Sequence, residues 1–144
     1  MNRISRWWPA LLLTGFAVLV AGLASACGGD DSSNSDDPRV GQIGGIAELA
    51  TYAYAAAGAD GLYDYLAPSV TERCSRQGLA QALQDIELPT GWRQIKDVGF
   101  EGDKATATVI FTTPSGDREV KWTFQQDSQG WRLLDLPGLD RCSH

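Results

Sequence analysis

The stretch KATATVIFTTPSGDREVKWTFQQ, residues 104–126, decides the fold. Before its turn, Ala105, Ala107, Val109 and Phe111 alternate with Thr106, Thr108, Ile110 and Thr112. After it, Val120, Trp122 and Phe124 alternate with Glu119, Lys121, Thr123 and Gln125. A period of two puts successive side chains on opposite faces of an extended chain, so both halves read as strands with one apolar face. The connection Pro114-Ser115-Gly116-Asp117 is a turn sequence short enough to force the two strands antiparallel. The pattern continues in both directions. Residues 92–100 and 131–136 read as flanking strands, joined through Glu101-Gly102-Asp103 and Asp127-Ser128-Gln129-Gly130. Together these four strands make an antiparallel meander.

Upstream of residue 90 the period changes to that of a helix. Ile46, Leu49, Ala50, Ala53 and Ala57 recur at three- and four-residue spacing and are expected to face a core. Gly58 followed by Asp60 reads as a stop and then an N-cap, opening a short helix with Leu62, Tyr65 and Leu66 on one side. Ala67-Pro68-Ser69 breaks that helix, and Ser69 with Glu72 has the spacing of a capping box. A third helix is expected over residues 75–86, with Leu79, Ala82 and Leu83 inward. The small side chains of the first helix (Ala50, Ala53, Ala55, Ala56, Ala57) predict close approach to whatever covers it. The expected fold is α+β, with three amino-terminal helices packed on one face of a curved four-stranded antiparallel sheet over residues 43–144.

Residues 1–26 read as an export signal. Arg3 and Arg6 precede an apolar run over residues 11–23, and Ala24-Ser25-Ala26 supplies the small residues a signal peptidase requires before Cys27. A cysteine in that place resembles the lipobox of bacterial lipoproteins, whose thiol takes a diacylglyceryl group before cleavage. Ala24 stands where that motif usually has Leu, with Leu23 one place earlier. Two alternatives stay open: an uncleaved helix across the uncharged stretch 7–29, and plain cleavage after Ala26. Residues 27–42 read as the lipidated cysteine and an acidic tether, since GGDDSSNSDDP holds too little apolar surface to fold. The expected location is extracytoplasmic, on the inner or outer membrane, with the membrane itself as partner through lipid on Cys27. Loss of Arg3 and Arg6 with the leader takes the net charge from −6 to about −8. An acidic chain without a basic cluster is expected not to bind nucleic acid. With Cys27 lipidated, Cys74 and Cys142 remain as an even pair, read as a disulfide in an exported protein. Free thiols or a metal pair are the alternatives, and the only histidine available to the latter is His144.

The segments YDYLAPSVTERCSRQGLAQAL (63–83), VGFEGDKATATV (98–109), VKWTF (120–124) and GWRLLDL (130–136) resemble the nuclear-transport-factor-2-like superfamily, in particular small bacterial lipoproteins carrying such a domain. The resemblance covers most of residues 43–138 and rests on patterns of fold. It implies helices wrapping a cone-shaped sheet with a pocket between them, sometimes catalytic in relatives and sometimes only binding. In this chain the pocket would be furnished by Tyr52, Tyr54, Trp92, Phe111, Trp122, Phe124 and Asp135, with Tyr63, Tyr65 and Asp97 nearby. Relatives that isomerise or dehydrate small molecules use a carboxylate with a raised pKa in that cone. Asp135 shares strand parity with Trp131 and Leu133 and is the candidate, although Leu134 and Leu136 on the other parity contest which face is inward.

No other constellation carries chemistry. The run GQIGG over 41–45 lacks the strand and lysine of a phosphate loop, Ser69 and Ser75 lack a histidine partner, and no calcium loop is present. No cofactor or metal is expected. The leading expectation is therefore a non-catalytic anchored domain that binds a small apolar ligand or an envelope protein. A pocket-carboxylate enzyme is the rival. A third reading is a sheet-docking module, with a homodimer among its options, contacting through Thr106, Thr108, Lys121 and Thr123.

Overall fold

A computed structural model describes residues 36–143. The export signal, Cys27, the tether up to residue 35 and His144 lie outside the described residues. The first element, α1 (Pro38–Ala57), begins where the sequence was expected still to be tether. Its start is a local signal that acidic composition masks. Asp37 caps it by accepting from the Arg39 N–H at 2.9 Å, and Pro38 occupies the first helical position. The Arg39 guanidinium also pairs with Asp37 at 2.7 Å and lies 4.1 Å over the Phe100 ring. The GQIGG run is therefore helical.

The buried face of α1 is Ile43, Ala47, Ala50, Thr51 and Tyr54. Of the expected stripe only Ala50 is fully buried, and Leu49 is 55% exposed. The real face is rotated by roughly a quarter turn from the expected one, because an alanine-rich helix offers several phases of similar apolarity. Gly58, at φ 61°, ends α1 and also caps α2 (Ala59–Tyr63), so Asp60 lies in the first turn of α2 instead of capping it. Helix α3 (Pro68–Thr71) is capped by Ala67; Ser69 lies inside it, and the expected capping box does not form. Backbone pairing fixes this corner instead. Ala67 N–H donates to Leu133 O at 2.7 Å and Leu133 N–H donates to Tyr65 O at 2.8 Å. Helix α4 (Arg76–Leu83) buries Leu79, Ala82 and Leu83 as expected but ends three residues earlier, and the Ser75 hydroxyl caps it by accepting from Gly78 N–H at 3.0 Å. Among the described residues the α-helices thus number four and span 38–83, well after the chain's amino terminus.

The strands are β1 (Gly91–Glu101), β2 (Lys104–Thr113), β3 (Gly116–Asp127) and β4 (Gly130–Asp135), antiparallel in the order β1-β2-β3-β4. The structure is α+β with an open four-stranded antiparallel sheet, as expected at that level. Alternation assigns the faces correctly in β2 and β3. Ala105 pairs with Phe124 and Ala107 with Trp122, so small residues on β2 make room for the large rings of β3. Strand β4 behaves differently. Leu133 pairs with Phe124 and Asp135 with Thr123, a bulge that inserts one extra residue. The bulge reverses parity after Leu133. Asp135 is consequently exposed and Leu136 buried, so of the two parities left open by the sequence the one with Asp135 outward holds, and Asp135 drops out of the candidate pocket.

Cys74 and Cys142 form a disulfide, with Cα atoms 5.4 Å apart and a sequence separation of 68. It holds the 3-10 turn Leu139–Arg141 against α4. Among the described residues no helix is long and apolar enough to cross a membrane.

One carboxylate ties the loop before β1 to the β2–β3 turn. Glu87 accepts from the Thr113 hydroxyl at 2.7 Å, the Ser115 hydroxyl at 2.8 Å and the Ser115 N–H at 3.0 Å. The Thr113 hydrogen bond, then that of Ser115, lowers the Glu87 pKa from its ordinary 4.5. A depressed folded-state pKa contributes stability that is present above the unfolded value and lost as pH falls through the folded one. Urea midpoints followed downward from pH 6 should fall less steeply below about 4.5 in Glu87→Gln than in the parent. An identical pH slope would remove this clamp from the account.

Candidate functional site

The pocket expected inside the sheet is filled. Phe111, Trp122 and Phe124 are buried against one another, with ring centroids 6.5 Å apart for Phe111–Trp122 and 6.3 Å for Trp122–Phe124. Tyr54 joins this core and Trp92 packs at its margin. Tyr52 does not belong to it: it lies half-exposed on the opposite side of α1, since two residues along a helix turn the side chain by about 200°. Asp135 is on the outer side of the sheet. Sequence reasoning thus brought together four members of one cluster, Tyr54, Phe111, Trp122 and Phe124, which pack as core. Tyr63 and Tyr65 are half-buried around the core, with the Tyr63 hydroxyl donating to Cys74 O at 3.0 Å.

The Tyr54 hydroxyl is buried and has no hydrogen-bond partner among the described residues. Burial raises its pKa above the ordinary 10.0. Because an unsatisfied buried hydroxyl costs stability, Tyr54→Phe should gain about 1 kcal/mol, whereas Tyr63→Phe, which forfeits a made bond, should lose about as much. A raised folded-state pKa also means that stability drains as pH rises past about 10, so the advantage of Tyr54→Phe should widen there. Denaturation at pH 7 and pH 10.5 checks both; a Tyr54→Phe variant weaker than the parent would contradict them.

The outer face of the sheet has no described element packed on it. Thr106 pairs with Thr123 and Thr108 with Lys121, so the four residues expected to line a docking face do lie side by side. Lys96 and Glu119 form an ion pair at 2.7 Å, and Arg93 lies 3.5 Å from Asp117. The hydrogen bond to Glu119 raises the Lys96 pKa. Ile110, although on this face, is only 7% exposed, and lines a cleft of about 570 Å³ with Arg93, Gln94, Asp117 and Glu119. Alternation already placed Ile110 among threonines. The charged rim joins Asp117 and Glu119 of β3 to Arg93 of β1, and the two bulges of β1 hid its share of the register. Asp97 sits in the second bulge at φ 53°, exposed, its carboxylate accepting from the Thr108 hydroxyl at 3.3 Å. It is part of this outer surface and not of an internal pocket.

A second cleft, of about 590 Å³, runs between the α2–α3 corner and the β3–β4 hairpin, lined by Tyr63, Asp64, Leu66, Arg132 and Gln129 among others. Arg76 bridges Asp60 and Asp64 and lies 4.5 Å over the Tyr63 ring. Arg132 donates to Asp64 O at 3.1 Å and to the Gln129 side chain at 3.2 Å. These groups already satisfy one another, so the cleft is a braced polar surface. Neither cleft contains a nucleophile hydrogen-bonded to a base. Among the described residues no three His, Cys, Asp or Glu side chains are grouped to hold a metal ion. No family model, curated protein or solved structure matches the chain.

Proposed function

We propose that this chain is a lipid-anchored extracytoplasmic protein whose domain, a nuclear-transport-factor-2-like variant, docks an envelope protein on the outer face of its sheet. The observation that carries the docking reading is the contrast between the two sheet faces. The inner face is packed with aromatic rings, while the outer presents a threonine and ion-pair surface around Ile110 with nothing of the described chain against it. That contrast favours a macromolecular surface over a small apolar ligand, which would need the interior. The fold kinship is supported by helices preceding a four-stranded antiparallel meander, and by bulges of the kind that curve a sheet. The anchor reading is supported by the leader, by Cys27 after Ala24-Ser25-Ala26, and by the pairing of the remaining two cysteines.

Two measurements test the two halves separately. In a bacterial host, Cys27→Ser should lose incorporated fatty acid and leave the membrane fraction; an unchanged fraction would make the apolar run itself the anchor. Photo-cross-linking in intact cells from positions 108 and 121 should trap an envelope protein. Absence of any adduct there, while exposed Gln77 on α4 cross-links equally or better, would remove the sheet face as the docking surface.

A further inference from the structure

Helix α1 is apolar on both sides. Opposite its buried face lies a row of exposed residues, Gly41, Gly45, Leu49, Tyr52 and Ala56, at the three- and four-residue spacing of one helix face. Leu49 and Tyr52, 55% and 50% exposed, are two of the three exposed large hydrophobic residues described. The only charges in the 20 residues of α1 are Arg39, held by Asp37, and Glu48, at the edge of the row. A surface helix ordinarily turns charge to the water, and one that is apolar all round is ordinarily buried. The glycines add an independent observation. A Cβ at Gly41 or Gly45 would meet nothing within 4 Å among the described residues, whereas at Gly61 or Gly78 it would strike backbone. Glycine within a helix costs stability relative to alanine, and at 41 and 45 nothing among the described residues requires it.

We propose that this row is a contact between two copies of the chain, α1 crossing α1 antiparallel about a two-fold axis near residue 47. The row is self-complementary in that sense. Its holes, Gly41 and Gly45, occupy the amino-terminal half and its knobs, Leu49 and Tyr52, the other half. The antiparallel crossing sets Leu49 of each copy over Gly45 of the other and brings Tyr52 beside Gly41. A parallel crossing would set hole on hole and knob on knob. A lipid surface suits the row less well, because this acidic domain offers no basic cluster to hold it to anionic headgroups. A helix of this length is about 30 Å long. A strip about 15 Å wide from each copy gives on the order of 900 Å² in total, the size of a weak, transient interface. The pair is therefore a concentration-dependent one, and it is separate from the sheet-face docking proposed above.

Sedimentation equilibrium of the full chain in a density-matched detergent, up to several hundred micromolar, tests this. The parent should show a reversible monomer–dimer equilibrium. Gly41→Ala with Gly45→Ala should weaken association at least tenfold while raising the thermal midpoint, and Leu49→Ala should also weaken it. Lost association with a gained midpoint cannot come from misfolding. The proposal is overturned by a strict monomer, or by association that both variants leave unchanged, as contact through residues 11–23 would. Association abolished by Lys121→Glu and not by the glycine variants would overturn it in favour of the sheet face.

Discussion

Cys74→Ala combined with Cys142→Ala should lower the unfolding free energy by about 4 kcal/mol, the chain-entropy value for a loop of this length. The bridge joins residues 68 apart, so it excludes a large set of extended conformations from the unfolded chain. It also acts on the folded side. Cys74 is 1% exposed, and the segment that Cys142 anchors carries Leu139, which is fully buried. A small domain has little surplus stability, and a loss of this size is a large share of it. The measurement is guanidinium denaturation of parent and variant with and without dithiothreitol. Reductant should bring the parent down to the variant and leave the variant where it was. A parent indifferent to dithiothreitol would mean that the cysteines are not bonded in the protein as made.

Gly61→Ala should lower stability by about 2 kcal/mol, against the sign that helix propensity gives. In a helix, alanine is favoured over glycine by about 1 kcal/mol. At this position, however, a Cβ would lie 2.2 Å from the Ala53 carbonyl oxygen and 3.1 Å from the Ala57 methyl. The obstacle is backbone, so it cannot swing aside, and relief requires α2 to move off α1. Overpacking of this kind outweighs the propensity gain. The contrast with Gly41→Ala and Gly45→Ala, where the added methyl meets open space, makes the test internal: same substitution, same class of element, opposite signs. Denaturant midpoints read it, and a stabilised Gly61→Ala variant would show that the α1–α2 contact yields easily.

Close approach of some covering element to α1 was foreseen from its alanines; that α2 makes it, and at Gly61, was not. Packing chose it, and a lone glycine in a short helix gives no sign of what faces it. The same division runs through the candidate site. Thr106, Thr108, Lys121 and Thr123 could be placed on one face because β2 and β3 pair without a bulge. Asp135 could not be placed, because a single inserted residue in β4 inverts everything after it. Tyr52 and Tyr54 were both assigned to the pocket that the resemblance implies, yet the helix sends them to opposite sides.

The sequence by itself determined the α+β class, the four antiparallel strands with their turns, the faces of β2 and β3, and helix α4 with its inward Leu79, Ala82 and Leu83. It also specified the pairing of Cys74 with Cys142. These are local matters: side-chain period, turn residues and capping act within a few positions of where they are written. Tertiary structure alone decided which side of α1 is buried, where the bulges fall in β1 and β4, that the sheet interior is filled, and that Gly61 must be bare. Each of these depends on volume and register between segments distant in the chain, where close packing admits one arrangement out of several that local signals allow equally.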